Sequence, residues 1–170
     1  VLIPSYEPTE RLAEVVRGLR TLDPSIHVLV VDDGSGPSYD ARFDAARAAG
    51  AEAVHLSRNR GKGAALKIGL YRLLATRPGE DVVTADSDGQ HTPADILAVA
   101  AATHGQDSLV LGCRGFTGSV PVASRFGNAV SRWLFHRAAG FGVSDTQTGL
   151  RGLPAGLVGW ASTVPGDRFE

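Results

Sequence analysis

Short apolar runs alternate along this chain with stretches of helical periodicity. Val1–Ile3, Ile26–Val31, Ala53–Leu56, Asp81–Ala85 and Ser108–Gly112 read as strands: brief, apolar and flanked by glycine or polar residues. Between the first two, Leu12, Val15, Val16, Leu19 and Leu22 recur at helical spacing, with Thr9 as the N-cap. Further helices are expected over residues 39–49 and from Gly63 to about Arg77. Thr92 followed by Pro93 sets a cap and a first-turn proline before a helix running to about Thr103. After Gly115 the pattern loosens, leaving one amphipathic helix over residues 122–139 and a glycine-rich remainder with no clear element. Strands apolar on both faces, each followed by a helix, predict an α/β fold with a mostly parallel sheet.

Composition narrows the class. The chain has 170 residues, enough for one domain with a real core. At 43% hydrophobic and 21% charged it reads as globular, and its net charge of -1 gives no electrostatic case for nucleic acid. The longest apolar run, Ile96 to Ala102, falls far short of the roughly 20 residues a membrane span needs, and no signal peptide is visible. The one cysteine, Cys113, has no partner for an internal disulfide and suits a reducing compartment. Residue 1 is Val and already belongs to a strand, so both ends read as cut from a longer protein.

The chemistry gathers where the strands end. In open α/β sheets ligands bind beyond the carboxyl ends of the strands, and polar clusters follow all five expected strands. These are Pro4-Ser5-Tyr6-Glu7, Asp32-Asp33-Gly34-Ser35, Arg58–Gly63, Asp86–His91 and Arg114. Asp86 and Asp88 lie one residue apart after an apolar run. Two like charges ~4 Å apart repel by about 4 kcal/mol at an effective dielectric of ~20. A hard divalent cation with oxygen ligands is the usual remedy, and Gln90 adds a neutral oxygen. The segment is no EF-hand, because Leu97 stands where the twelfth-position acid belongs.

The other clusters keep two readings each. Asp32 and Asp33 serve either as turn and capping residues or as acceptors for a base or ribose. Arg58–Gly63 is either a solvated basic loop or an anion contact at a helix start, and it fits neither G-x-x-x-x-G-K-[ST] nor G-x-G-x-x-G. Asp145–Arg151 is either a glycine turn or an acceptor-side wall with Arg151 free for a phosphate. His91 is a loop residue or a polar wall near the metal, while His27, His55, His104 and His136 show no ligand spacing. The helix at 122–139, with Phe126, Trp133 and Phe135 among Arg125, Arg132 and Arg137, packs on the core or lies on a membrane surface.

Taken together, these motifs resemble the family 2 glycosyltransferases of GT-A fold, and within them the polyprenyl-phosphate glycosyltransferases. The resemblance rests on Ile3–Glu7, Val30–Ser35, Asn59–Ala65, Asp86–His91, Ser124–Asn128 and Asp145–Arg151, in family order over nearly the whole chain. It implies one catalytic domain over residues 1–170, inverting transfer from a nucleoside diphosphate sugar to a polyprenyl phosphate, and a place at the cytoplasmic face of a membrane. Pro4, Tyr6, Glu7 and Asp33 would line the base and ribose, with Asp32 beside them and Lys62 near. Asp86, Asp88 and Gln90 would hold Mg²⁺ or Mn²⁺ on the donor diphosphate. Arg114 and Arg125 would face the acceptor phosphate, and Arg151 the reaction centre. Asp145 would serve as a base were the acceptor a hydroxyl. The sequence departs from the family in having Glu7-Pro8 where Asn-Glu is common after the tyrosine. The rival readings are a same-fold enzyme acting on a glycan or protein hydroxyl, a nucleotide-sugar binding module without catalysis, and a nucleotidyltransferase. Pro4–Pro8 lacks the glycine- and arginine-rich first loop of the last class.

Overall fold

The computed structural model describes residues 1–112 and 148–167. In chain order it contains β1 (Leu2–Ser5), α1 (Arg11–Leu22), β2 (Leu29–Asp32), a 3-10 turn at Pro37–Tyr39, α2 (Asp40–Ala48) and β3 (Glu52–His55). Next come α3 (Lys62–Thr76), β4 (Val82–Thr84), α4 (Pro93–Thr103), β5 (Val110–Leu111), β6 (Arg151–Leu153) and α5 (Ala155–Thr163). The helix expected over 122–139 lies outside the described residues, as do Cys113, Arg114, Arg125 and Asp145.

The strands form one sheet in the order β3-β2-β1-β4-β6-β5. β1 pairs parallel with both β2 and β4, and β2 parallel with β3. The α/β, mostly parallel architecture is therefore the expected one. Side-chain alternation divides the core between its two faces. Leu2, Leu29, Val31 and Val82 pack with Ala65, Leu70, Leu73 and Val158, under α3 and α5. Ile3, Val28, Val30 and Val83 point the other way, onto Leu12, Val16, Leu19, Phe43 and Ile96 of α1, α2 and α4. Each buried Val, Leu, Ile or Phe side chain among them contributes about 1.5–3 kcal/mol.

Three expectations are corrected. β6, in a stretch expected to be a loop, runs antiparallel between β4 and β5, with Thr84 opposite Arg151 and Val110 opposite Gly152. Arg151 therefore opens a strand instead of closing a loop. A three-residue Arg-Gly-Leu strand has no periodicity to read, and its position comes from pairing on both sides. Secondly, Glu10 and not Thr9 is the N-cap of α1, and it makes no side-chain cap bond. Thr9 lies one residue outside, where its hydroxyl accepts the Arg11 N–H at 3.4 Å. Thirdly, the ladder of β2 begins at Leu29, so Ile26 and His27 fall outside it.

Candidate active site

The chain leaves β1 leftward to β2 and β3 and returns on the other side as β4, so the strand order reverses between β1 and β4. Such a reversal opens a crevice at the carboxyl ends of the strands. A cleft of about 450 Å³ lies there. Pro4, Ser5 and Tyr6 come to it from β1, Asp33 from β2, Asn59, Gly61, Lys62 and Ala65 from the start of α3, and Asp86, Ser87 and Asp88 from β4.

The loop into α3 is tied to β2 by Asp33. One carboxylate oxygen accepts the Arg60 N–H and the other the Gly61 N–H, both at 2.8 Å. Asp33 is buried, and a buried carboxylate requires bonds of this kind. Gly34 makes the close approach possible: its φ is 76°, and a Cβ there would sit 2.3 Å from the Arg58 carbonyl carbon. Gly61 caps α3 and Lys62 is its first residue.

Lys62 Nζ pairs with Asp86 Oδ1. The repulsion expected between Asp86 and Asp88 is thus met in part by a lysine of this chain. Behind Asp86 stands Gly149, where a Cβ would lie 2.1 Å from Asp86 Oδ2. Thr84 Oγ1 holds this glycine by donating to its carbonyl at 3.0 Å. Asp88 Oδ1 accepts the Gln90 N–H at 2.9 Å, and the Gln90 amide reaches Oδ2. Arg11 Nη1 donates to the Asp88 carbonyl at 3.1 Å and fixes the turn from α1.

Of the residues singled out by sequence, Pro4, Tyr6, Asp33, Lys62, Asp86 and Asp88 come together around the cleft. Asp32 does not line it. It stands on the same face of β2 as Val28 and Val30, towards α2, and both its oxygens are engaged by Ser35 and His55. Glu7 lies just beyond Tyr6; its carboxylate accepts from the Tyr6 phenol, which raises Tyr6 above its ordinary value of 10.0. Gln90 supports Asp88 from outside the cleft wall. Arg151 faces the Thr148 carbonyl, to which its Nε donates at 2.9 Å. Arg114, Arg125 and Asp145 lie outside the described residues. Gly149, Ser35 and His55 carry no site role that the sequence alone reveals. Gly149 could not be found that way, since its importance comes from touching a residue 63 positions earlier in the chain.

Among the described residues no three His, Cys, Asp or Glu side chains gather at one point. The acidic donors here are two carboxylates at the edge of an open cleft, Asp86 half-buried and Asp88 exposed. Such a set fits a hard cation that takes its remaining ligands from substrate oxygens.

A mostly parallel sheet with a carboxylate-edged cleft at its switch point is the architecture of GT-A glycosyltransferases. The chain belongs to glycosyl transferase family 2, whose family model matches residues 1–148. Polyprenol monophosphomannose synthase of Mycolicibacterium smegmatis is 32% identical over 163 residues, covering 89% of this chain and 59% of that protein. Glucosyl-3-phosphoglycerate synthase from Mycobacterium tuberculosis, solved with Mn²⁺, UDP-glucose and phosphoglyceric acid, shares the fold at a TM-score of 0.68. That match has 23% identity and covers 92% of this chain and 56% of the other. A mannosyltransferase from Pyrobaculum calidifontis, solved with GDP-mannose and Mn²⁺, shares it at 0.61 with 18% identity, over 98% of this chain and 48% of the other. The chain spans 62% and 59% of the length of two curated relatives it matches, and 30% of a third.

Proposed function

We propose that this domain transfers a sugar from a nucleoside diphosphate sugar, of UDP-glucose or GDP-mannose type, to a polyprenyl phosphate with inversion at the anomeric carbon. The observation that carries the reading is the cleft itself, where Tyr6, Lys62 and the start of α3 face Asp86 and Asp88. Its support beyond the geometry is family membership and the likeness to a polyprenol monophosphomannose synthase.

In this reading Pro4 and Tyr6 receive the base and ribose against the loop that Asp33 shapes. Lys62 and the amino end of α3 offer positive charge to the donor. Asp86 and Asp88, supported by Gln90, would hold Mg²⁺ or Mn²⁺. Bound there, the ion supplies charge neutralisation and Lewis-acid polarisation at the departing diphosphate. An acceptor phosphate oxygen forms the new bond to the anomeric carbon as the bond to the diphosphate breaks, and the nucleoside diphosphate leaves. A phosphate monoester has a second pKa near ~6 and is mostly a dianion at neutral pH. It needs no general base, whereas a hydroxyl acceptor would call on Asp145. Arg114 and Arg125 are assigned to the acceptor phosphate and Arg151 to the reaction centre, as paired donors suited to phosphate.

A polyprenyl acceptor requires work at a membrane surface, which we assign to the cytoplasmic face. Among the described residues no helix is long and apolar enough to cross a membrane. Calorimetry with UDP- and GDP-sugars, with and without Mn²⁺, tests the donor, and binding that strengthens with Mn²⁺ is expected. Separate assays offering polyprenyl phosphate and a soluble saccharide test the acceptor. Transfer to the saccharide alone refutes the lipid assignment.

A further inference from the structure

Tyr6 enters the cleft next to a backbone that is costly to hold. Glu7 has φ 49°, and it is the only described residue other than glycine with positive φ. A side chain is uncommon in that left-handed region. The following residue is Pro8, and a residue before proline is pushed towards extended backbone. Something outside the segment must keep Glu7 in place.

That hold is Ser35, whose Oγ accepts the Glu7 N–H at 2.8 Å. Ser35 is held in turn by Asp32: its N–H donates to Asp32 Oδ1 at 2.9 Å and its hydroxyl to the same oxygen at 2.5 Å. The Asp32 side chain is only 5% exposed, and its other oxygen meets His55 Nδ1 at 2.9 Å. His55 is the cross-strand partner of Asp32 in the β2–β3 ladder. Arg47 Nη2 sits on His55 Nε2. The Asp32 carboxylate only accepts, so His55 Nδ1 is the donor in this bond. The edge contact of Phe43, with ring centroids 5.0 Å apart, fixes the imidazole plane. One directed chain of bonds therefore runs from α2 through β3 and β2 to the wall of the cleft.

We propose that Ser35, backed by Asp32 and His55, is a positioning residue for the nucleotide: it sets the Tyr6–Glu7 wall, and donor affinity depends on it although it is not among the residues lining the cleft. The inference rests on the cleft being a nucleoside diphosphate site, as proposed above. It also gives Asp32 a supporting role behind the wall in place of contact with the base.

The test compares the wild-type chain with S35A and S35T. UDP and GDP are titrated into each by calorimetry, and solvent exchange of the Glu7 amide is followed by NMR. S35A is expected to weaken the preferred nucleotide about tenfold and speed Glu7 exchange, while S35T, which keeps the hydroxyl, restores both. S35A binding as tightly as wild type overturns the positioning role. If wild type binds neither nucleotide, the assignment of the cleft is what fails. The Glu7 amide then still decides the tie: exchange unchanged in S35A overturns it, and accelerated exchange sustains it.

Discussion

At the scale of single residues, the direction of a side chain matters more than its identity. Asp32 and Asp33 are chemically alike and adjacent, yet one is bonded towards α2 and the other faces the cleft. The sequence names both as candidates, and only the strand's pleat separates them. Asp86 and Asp88 are legible as candidates because two like charges one residue apart at a strand end repel, and the structure brings both to the cleft. Replacing Asp88 with Ala is expected to abolish metal-dependent donor turnover, and full activity of that variant in EDTA would remove the metal assignment. Gly149 makes a complementary prediction. A methyl there would meet the Asp86 carboxylate 2.1 Å away, so Asp86 must shift. Gly149→Ala should weaken the Mn²⁺ dependence of donor binding by about tenfold, the equivalent of ~1.4 kcal/mol, in a metal titration. An unchanged titration curve would show that Asp86 does not need its present position.

At the scale of elements, the sequence was most readable where local chemistry alone sets a boundary. Thr92 caps α4 through its Oγ1, which accepts the Asp95 N–H at 3.1 Å. The Asp95 carboxylate in turn accepts the Thr92 N–H at 3.2 Å, completing a capping box before Pro93. Thr92→Ala is expected to cost about 1 kcal/mol at neutral pH, read from urea unfolding. The Thr92 hydrogen bond holds Asp95 below its ordinary value of 3.8. A carboxylate depressed in the folded state stabilises it above that value and loses the contribution as pH falls through the lowered one. The gap between wild type and Thr92→Ala should therefore narrow below pH 3.8. A gap that stayed constant into that acid range would mean that Asp95 plays no part. By contrast, β6 was not legible. Three residues with a glycine in the middle carry no pattern, and their strand character depends on β4 and β5 standing on either side.

At the scale of the whole molecule, a ligand that binds only the folded chain must stabilise it. At 100 times its Kd, the preferred nucleotide should add about 2.7 kcal/mol, seen as a rise in Tm that grows with concentration. Arg125→Ala should reduce use of the acceptor far more than nucleotide affinity, and an equal loss of nucleotide binding would count against its acceptor role. The sequence by itself determined the α/β class, the alternation of strands and helices and the two-faced core, because burial imposes a period of 2 on strands and 3.6 on helices. It also determined that acidic and basic clusters follow the strands. Tertiary structure alone decided that β6 enters antiparallel, that Gly149 backs Asp86, that Lys62 reaches the same carboxylate and that Asp32 turns away from the cleft. Those facts depend on contacts between residues far apart in the chain, and no local pattern of polarity records which distant backbone will come to lie alongside.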